Sequence, residues 1–256
     1  MAEEQKWPDA LLVVRHGQSA GNVARDAAEA AGQTVIPIAQ RDADVPLSDL
    51  GERQARALGR WFGGLPADKK PTVVLVSPYV RARQTAQLAL EEAEIDPEDV
   101  GFQSDERLRE KEFGVLDCLT PLGVAEKYPD QAEFRRLLGK FYHRPPGGES
   151  WCDVILRLRS VIGTVTREYR RERVLIVSHQ VVVLCLRYLM ERMTEEDILA
   201  IDRQEQIANC SVTSYEFDRS LGKKGKMALD LFNFVVPLEE AGEPVTRKPD
   251  VPIAPK

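Results

Sequence analysis

No apolar run in the chain approaches the roughly 18 residues that a membrane-spanning helix requires. The first residues, MAEEQKWPDA, are acidic where a secretory leader would carry an apolar core. A basic field is missing as well, since 35 Lys and Arg stand against 41 Asp and Glu for a formal charge of −6. That balance offers nucleic acid or an anionic lipid surface nothing to gather on, so neither is expected as a partner, and any bound anion must be held locally. Cysteine is scarce. Cys118, Cys152, Cys185 and Cys210 form no CxxC pair or zinc knuckle and are too few to staple 256 residues, so free thiols are expected. The GxxxxGK[ST] loop, the GxGxxG turn after a strand and the HExxH helix are absent too, which removes the parts needed for triphosphate cradling, dinucleotide binding and zinc proteolysis. These absences point to a soluble, cytoplasmic protein with no metal or cofactor.

What is present is enough for one sizeable core, because 43% of the residues are hydrophobic. Short, nearly continuous apolar runs at 11–14 (LLVV), 72–77 (TVVLVS) and 173–178 (RVLIVS) read as central strands covered on both faces. Amphipathic stretches lie between them. In SDLGERQARALGRWF, Leu50, Ala55, Leu58 and Phe62 fall near one face behind a Ser48 cap. RARQTAQLALEEAE follows the second strand, SWCDVILRLRSVIGTVTREYRRE precedes the third and VVVLCLRYLMER follows it. Strands alternating with helices of this length predict an α/β fold: an open, mostly parallel sheet flanked by helices. The runs at 211–218 and 227–236, joined by SLGKKGK, predict a hairpin at the C-terminal edge of that sheet. Residues 1–9 read as an N-terminal extension, 10–236 as a single domain, and the proline- and charge-rich 237–256 as a disordered tail.

In a parallel α/β sheet, ligands gather beyond the carboxyl ends of the strands. Two of the three strong strands end in histidine, His16 in VVRHGQS and His179 in IVSHQ, in a chain with only three histidines. The remaining one ends in VSPYVRARQTA, which puts Arg81 and Arg83 just beyond it. If the strands are neighbours, Arg15, His16, Arg81 and His179 converge. Such a cluster repels a metal cation and welcomes a compact dianion, and arginine matches phosphate oxygens in bidentate fashion. Gly17, Ser19, Ala20 and Gly21 let the backbone approach, and Asn22 adds an amide donor. The end of the first strand is thus read as a phosphate pocket, with Arg83 turned to the surface and His143 a packing or rim residue.

Taken together, these residues resemble the histidine phosphatase superfamily, also called phosphoglycerate mutase-like. The resemblance rests on RHGQSAGN (15–22), PLSDLGERQA (46–55), SPYVRARQTA (77–86), RLREKEFGVLD (107–117), PPGGES (145–150) and VSHQ (177–180), in the family's order. It implies a phosphoglycerate mutase-like three-layer sandwich with a small phosphorylated metabolite as substrate. It also implies that His16 is the nucleophile that becomes phosphohistidine, and that Glu110 is the acid that protonates the leaving oxygen and later helps deprotonate water. Arg15, Arg81 and His179 would hold the phosphoryl oxygens, with Asn22, Ser19 and Gln180 beside them. Glu106 and Glu112 stand close enough in sequence to Glu110 to be alternatives for the acid. The chain departs from the family where SHQ replaces the usual SHG, so the Gln180 side chain occupies space normally open. Residues 23–45 are longer than in minimal members and hold an alanine-rich helix candidate; with 118–147 they are expected to form a cap. The long basic, proline-rich insertion that mutases carry is missing. Hydrolysis is therefore favoured over a cofactor-dependent phosphoglycerate mutase, and over a phosphate-binding regulatory protein without turnover.

Overall fold

The strand order in the sheet is β3-β2-β4-β1-β5-β6, in a computed structural model that describes residues 5–247. The strands are β1 (Ala10–Arg15), β2 (Val73–Val76), β3 (Gly101–Ser104), β4 (Arg173–Ser178), β5 (Val212–Asp218) and β6 (Lys226–Phe234). The helices are α1 (Ala20–Ala30), α2 (Asp49–Gly64), α3 (Val80–Glu92), α4 (Pro121–Lys127), α5 (Pro129–Tyr142), α6 (Trp151–Glu168), α7 (Gln180–Glu191), α8 (Glu195–Gln204) and α9 (Val236–Glu240). β3, β2, β4 and β1 pair in parallel, while β5 runs antiparallel to β1 and β6 antiparallel to β5. This is the expected open, mostly parallel sheet with its C-terminal edge hairpin.

The continuous apolar runs make sense because both faces of the sheet are covered, and side chains alternate between the faces with period two. Leu11, Val13, Val174 and Ile176 pack on one face with Val154 and Leu158 of α6 and Leu184 of α7. Leu12, Val14, Leu175 and Val177 pack on the other with Leu58 and Phe62 of α2 and Ala86 and Leu90 of α3. Each such side chain taken out of water contributes about 1.5–3 kcal/mol. Ser48 caps α2 by accepting from Gly51 N at 3.1 Å, and Ser150 and Asp153 form a reciprocal cap at the start of α6.

Register sets the chemistry. β1 and β4 pair so that Arg15 stands opposite Ser178, and β2 and β4 so that Val76 stands opposite Val177. The next residues of β1 and β4, His16 and His179, therefore leave the sheet at one level, with Ser77 one residue behind them, level with Arg15 and Ser178. The chain from His16 also fits tightly against the start of α2, where a Cβ on Gly51 would lie 2.0 Å from Gln18 O, so only glycine allows that approach.

The reading of 237–256 as a disordered tail is corrected for its first part. α9 buries Pro237 and Leu238, Leu238 joins the core on the α2 face, and Gln54 Nε2 donates to Pro244 O at 2.8 Å. Proline and charge in the composition hide these anchors, whose partners lie on α2. Residues 248–256 lie outside the described residues. The alanine-rich helix begins at Ala20, earlier than residue 23, because Ser19 and Asn22 form its reciprocal cap. The two insertions are joined by main-chain bonds: Ile36 N donates to Cys118 O at 2.8 Å and Thr120 N to Thr34 O at 3.2 Å.

Candidate active site

Three helices begin at the level where the strands end. Ser19, Tyr79 and His179 are the residues preceding α1, α3 and α7, so three helix N-termini with their positive dipole ends face one region. Arg15, His16, Asn22, Arg81 and His179 are all buried there. The rings of His16 and His179 lie 5.1 Å apart, edge to face.

His16 is fixed from several sides. Its N donates to Ser178 O at 2.9 Å, and its carbonyl accepts from Asn209 Nδ2 at 2.8 Å. The next amide, Gly17 N, donates to Thr85 Oγ1 at 3.0 Å, and Thr85 Oγ1 donates to Arg81 O at 2.7 Å. The ring Nδ1 lies 2.6 Å from Gly17 O. A carbonyl only accepts, so Nδ1 carries the proton. Arg81 Nε lies 3.2 Å from His16 Nε2 and can only donate, so Nε2 presents its lone pair. Two neighbours thus select the tautomer in which the nitrogen facing the pocket is nucleophilic.

His179 Nε2 lies 2.7 Å from Ser77 Oγ, and its ring lies 5.1 Å from that of Tyr79. Arg15 is fully buried and reaches Ile207 O at 2.5 Å. Arg81 stands over the Tyr79 ring, with its guanidinium carbon 4.9 Å from the centroid. Ser19 Oγ and Asn22 Oδ1 are engaged with each other's main chain in the α1 cap. Gln180, buried, is the first residue of α7. Arg83 is exposed.

Glu110 is 1% exposed, whereas Glu106 and Glu112 are exposed. Its Oε1 accepts from Lys111 N at 2.8 Å. The loop that carries it is tied to the strand ends: Ser178 Oγ donates to Leu108 O at 2.7 Å, and Tyr79 OH donates to Glu112 Oε1 at 3.1 Å. The PPGGES turn braces the loop from outside, as Glu149 Oε2 accepts from Glu112 N at 3.1 Å and from Arg157 at 3.1 Å. Beside this loop, burial and then Arg135 push the Lys111 ammonium down to about 8. His143, buried, is lowered to about 4 by burial, then by Arg135 and Lys111, so it is neutral near pH 7.

A cleft open to solvent continues outward from Arg81. It is lined by Asn22, Arg25, Asp42, Arg81, Asp117 and Cys118. Among the described residues, no group of three or more His, Cys, Asp or Glu side chains is placed to hold a metal ion, and no helix is long and apolar enough to cross a membrane.

Ser77, Thr85, Asn209 and Asp42 were not singled out by the sequence reading. Ser77 could have been found once the three strands were aligned, since it follows β2 at the level of Arg15 and Ser178, one residue short of His179. Asn209 reaches His16 from the turn before β5, and no local pattern marks it.

A model of the histidine phosphatase superfamily, branch 1, matches residues 11–228. The chain is 32% identical over 191 residues to a 6-phosphofructo-2-kinase/fructose-2,6-bisphosphatase of Caenorhabditis elegans, which covers 74% of the chain but 36% of that relative, about a third of its length. It is 31% identical over 196 residues to a 2,3-bisphosphoglycerate-dependent phosphoglycerate mutase 2 of Gloeobacter violaceus, covering 75% and 80%. Among solved structures, a mycobacterial hydrolase aligns with a TM-score of 0.65 at 25% identity, covering 88% of this chain and 98% of that one. A mycobacterial glucosyl-3-phosphoglycerate phosphatase aligns at 0.65 and 23% identity, covering 89% and 100%.

Proposed function

The chain belongs to the histidine phosphatase superfamily, branch 1, and from that membership we propose that it hydrolyses the phosphomonoester of a small metabolite through a phosphohistidine on His16. The observation that carries this reading is the His16 tautomer. With Nδ1–H held by Gly17 O and Nε2 turned to Arg81, the attacking nitrogen needs no base.

The phosphoryl group enters between Arg15, His16, Arg81 and His179, with the Asn22 amide as a further donor. Phosphoryl transfer spreads charge over three equatorial oxygens, and donors arranged beforehand lower that barrier, each worth about 10²–10³ in rate. His16 Nε2 forms a bond to phosphorus as the bond from phosphorus to the ester oxygen breaks, and Glu110 gives that oxygen its proton. In the second half, Glu110 takes a proton from water, the water oxygen attacks phosphorus, the N–P bond breaks and orthophosphate leaves. Burial of Glu110 supports its role over Glu106 or Glu112. The joined insertions serve as a cap over the cleft.

The experiment is to mix the protein with a 32P-labelled phosphomonoester, quench in base, and follow acid-labile phosphoprotein and released phosphate, with His16→Ala alongside. Labelled protein and phosphate from the wild type alone are expected. Unchanged turnover in the variant overturns the reading; label passing to 3-phosphoglycerate replaces hydrolysis with mutase chemistry, and label retained without turnover leaves a binding protein.

A further inference from the structure

Arg81 makes contacts that an incoming phosphoryl group has to contest. Its Nε lies 3.2 Å from His16 Nε2. On the outward side, NH1 donates to the main-chain oxygen of Asp42 at 2.5 Å and lies 3.0 Å from Asp42 Oδ1, and NH2 donates to Asp42 Oδ2 at 3.1 Å. Both carboxylate oxygens thus lie on the two terminal nitrogens, the forked geometry by which guanidinium also holds phosphate. Arg81 is nearly wholly buried while the Asp42 side chain is 41% exposed.

Asp42 belongs to the long insertion. It opens a 3-10 turn, Asp42–Asp44, whose far side is secured by buried Val45 and Leu47 and by Ala20 N donating to Pro46 O at 2.9 Å. The side chain therefore hangs from an anchored segment into the cleft, which Asp117 also lines.

We infer that Asp42 is an internal anion that occupies the phosphate-facing edge of Arg81 until a phosphoryl dianion displaces it. This rests on the reading of the pocket as a phosphoryl site. A substrate phosphoryl group brings two charges and three oxygens, and also meets Arg15, His16 and His179, so it outcompetes a single carboxylate. A monoanion offers no such surplus and is turned away. Asp42 is a positioning residue: it holds the guanidinium in the orientation that caps His16 Nε2, and it raises the threshold for anion entry.

The test is calorimetric titration of the full chain with orthophosphate, with steady-state hydrolysis of a phosphomonoester alongside. Asp42→Asn keeps the shape and removes the charge. Its Kd for orthophosphate and its KM are expected to fall together by about two- to fivefold, the scale of one lost, partly exposed charge–charge contact, while Asp42→Glu keeps wild-type values. A gain in affinity is something a merely structural role cannot produce. An unchanged or raised Kd in Asp42→Asn, where the wild type binds phosphate, overturns the inference and leaves the phosphatase reading standing. No phosphate binding by the wild type overturns both, and Arg81→Ala reports on the site itself by weakening phosphate.

Discussion

The imidazole of His16 donates its Nδ1 proton to the carbonyl oxygen of Gly17, its neighbour in the chain, across 2.6 Å. Because the acceptor is main chain, no substitution of a side chain can remove it. In 15N-labelled protein, long-range 1H–15N correlation is expected to show His16 as the Nδ1–H tautomer in the ligand-free state. Finding the proton on Nε2 would leave the attacking nitrogen blocked and the proposed first step without a nucleophile.

Ser77 holds His179 through the 2.7 Å contact to Nε2, both residues being fully buried. Ser77→Ala leaves that ring nitrogen without its hydroxyl, at a cost of about 1–3 kcal/mol. We expect kcat to drop about ten- to a hundredfold with the fold intact by circular dichroism. Wild-type kcat in this variant would show that His179 is oriented by other contacts.

Gly51→Ala places a methyl group 2.0 Å from Gln18 O, main chain against main chain, so the loop after His16 must retreat. Overpacking of this kind costs about 1–3 kcal/mol, which corresponds to a Tm lower by several degrees in a chain of this size. Activity should fall further than stability, since the same loop joins His16 to α1, which carries Asn22. A thermal melt superimposable on the wild type would refute the close packing of α2 on this loop.

His143 makes stability depend on acidity. Its folded value lies near 4 against 6.5 for the free side chain, through burial first and the cations of Arg135 and Lys111 second. Below pH 6.5 the unfolded chain takes up the proton more readily than the folded one, so stability falls as the pH drops from 6.5 toward 4, by on the order of 2 kcal/mol. Urea melts across that window should show the loss, and His143→Gln should flatten it. An equal slope in the variant would assign the acid sensitivity elsewhere.

The chemistry proposed here draws its positive charge from Arg15, Arg81 and the helix termini. Hydrolysis is therefore expected to survive excess chelator. Loss of activity that a divalent ion restores would defeat that expectation.

The strand ends were legible because a parallel strand covered on both faces has to be apolar until it leaves the sheet, and the change to Arg15–His16 and to His179 marks where it does. β3 was not legible: its four residues, GFQS, form a largely exposed edge and carry no apolar alternation. α8 was equally silent. Asp42 sits among other charged residues in RDADV, and only the folded insertion picks it out. The order of the segment up to Thr246 is likewise a tertiary effect, since Gln54 on α2 reaches both Pro244 O and the Thr246 hydroxyl.

The pairing of Arg15 with Ser178 joins the first strand of the sheet to the last of its parallel strands, and Arg81 and Glu110 come from the chain between them. Turnover thus requires nearly the whole chain to have reached its final connectivity, and no early fragment emerging during synthesis can be active. In refolding from denaturant, recovery of hydrolysis should trail the return of helical signal, which makes enzymatic rate a sensor of completed long-range closure.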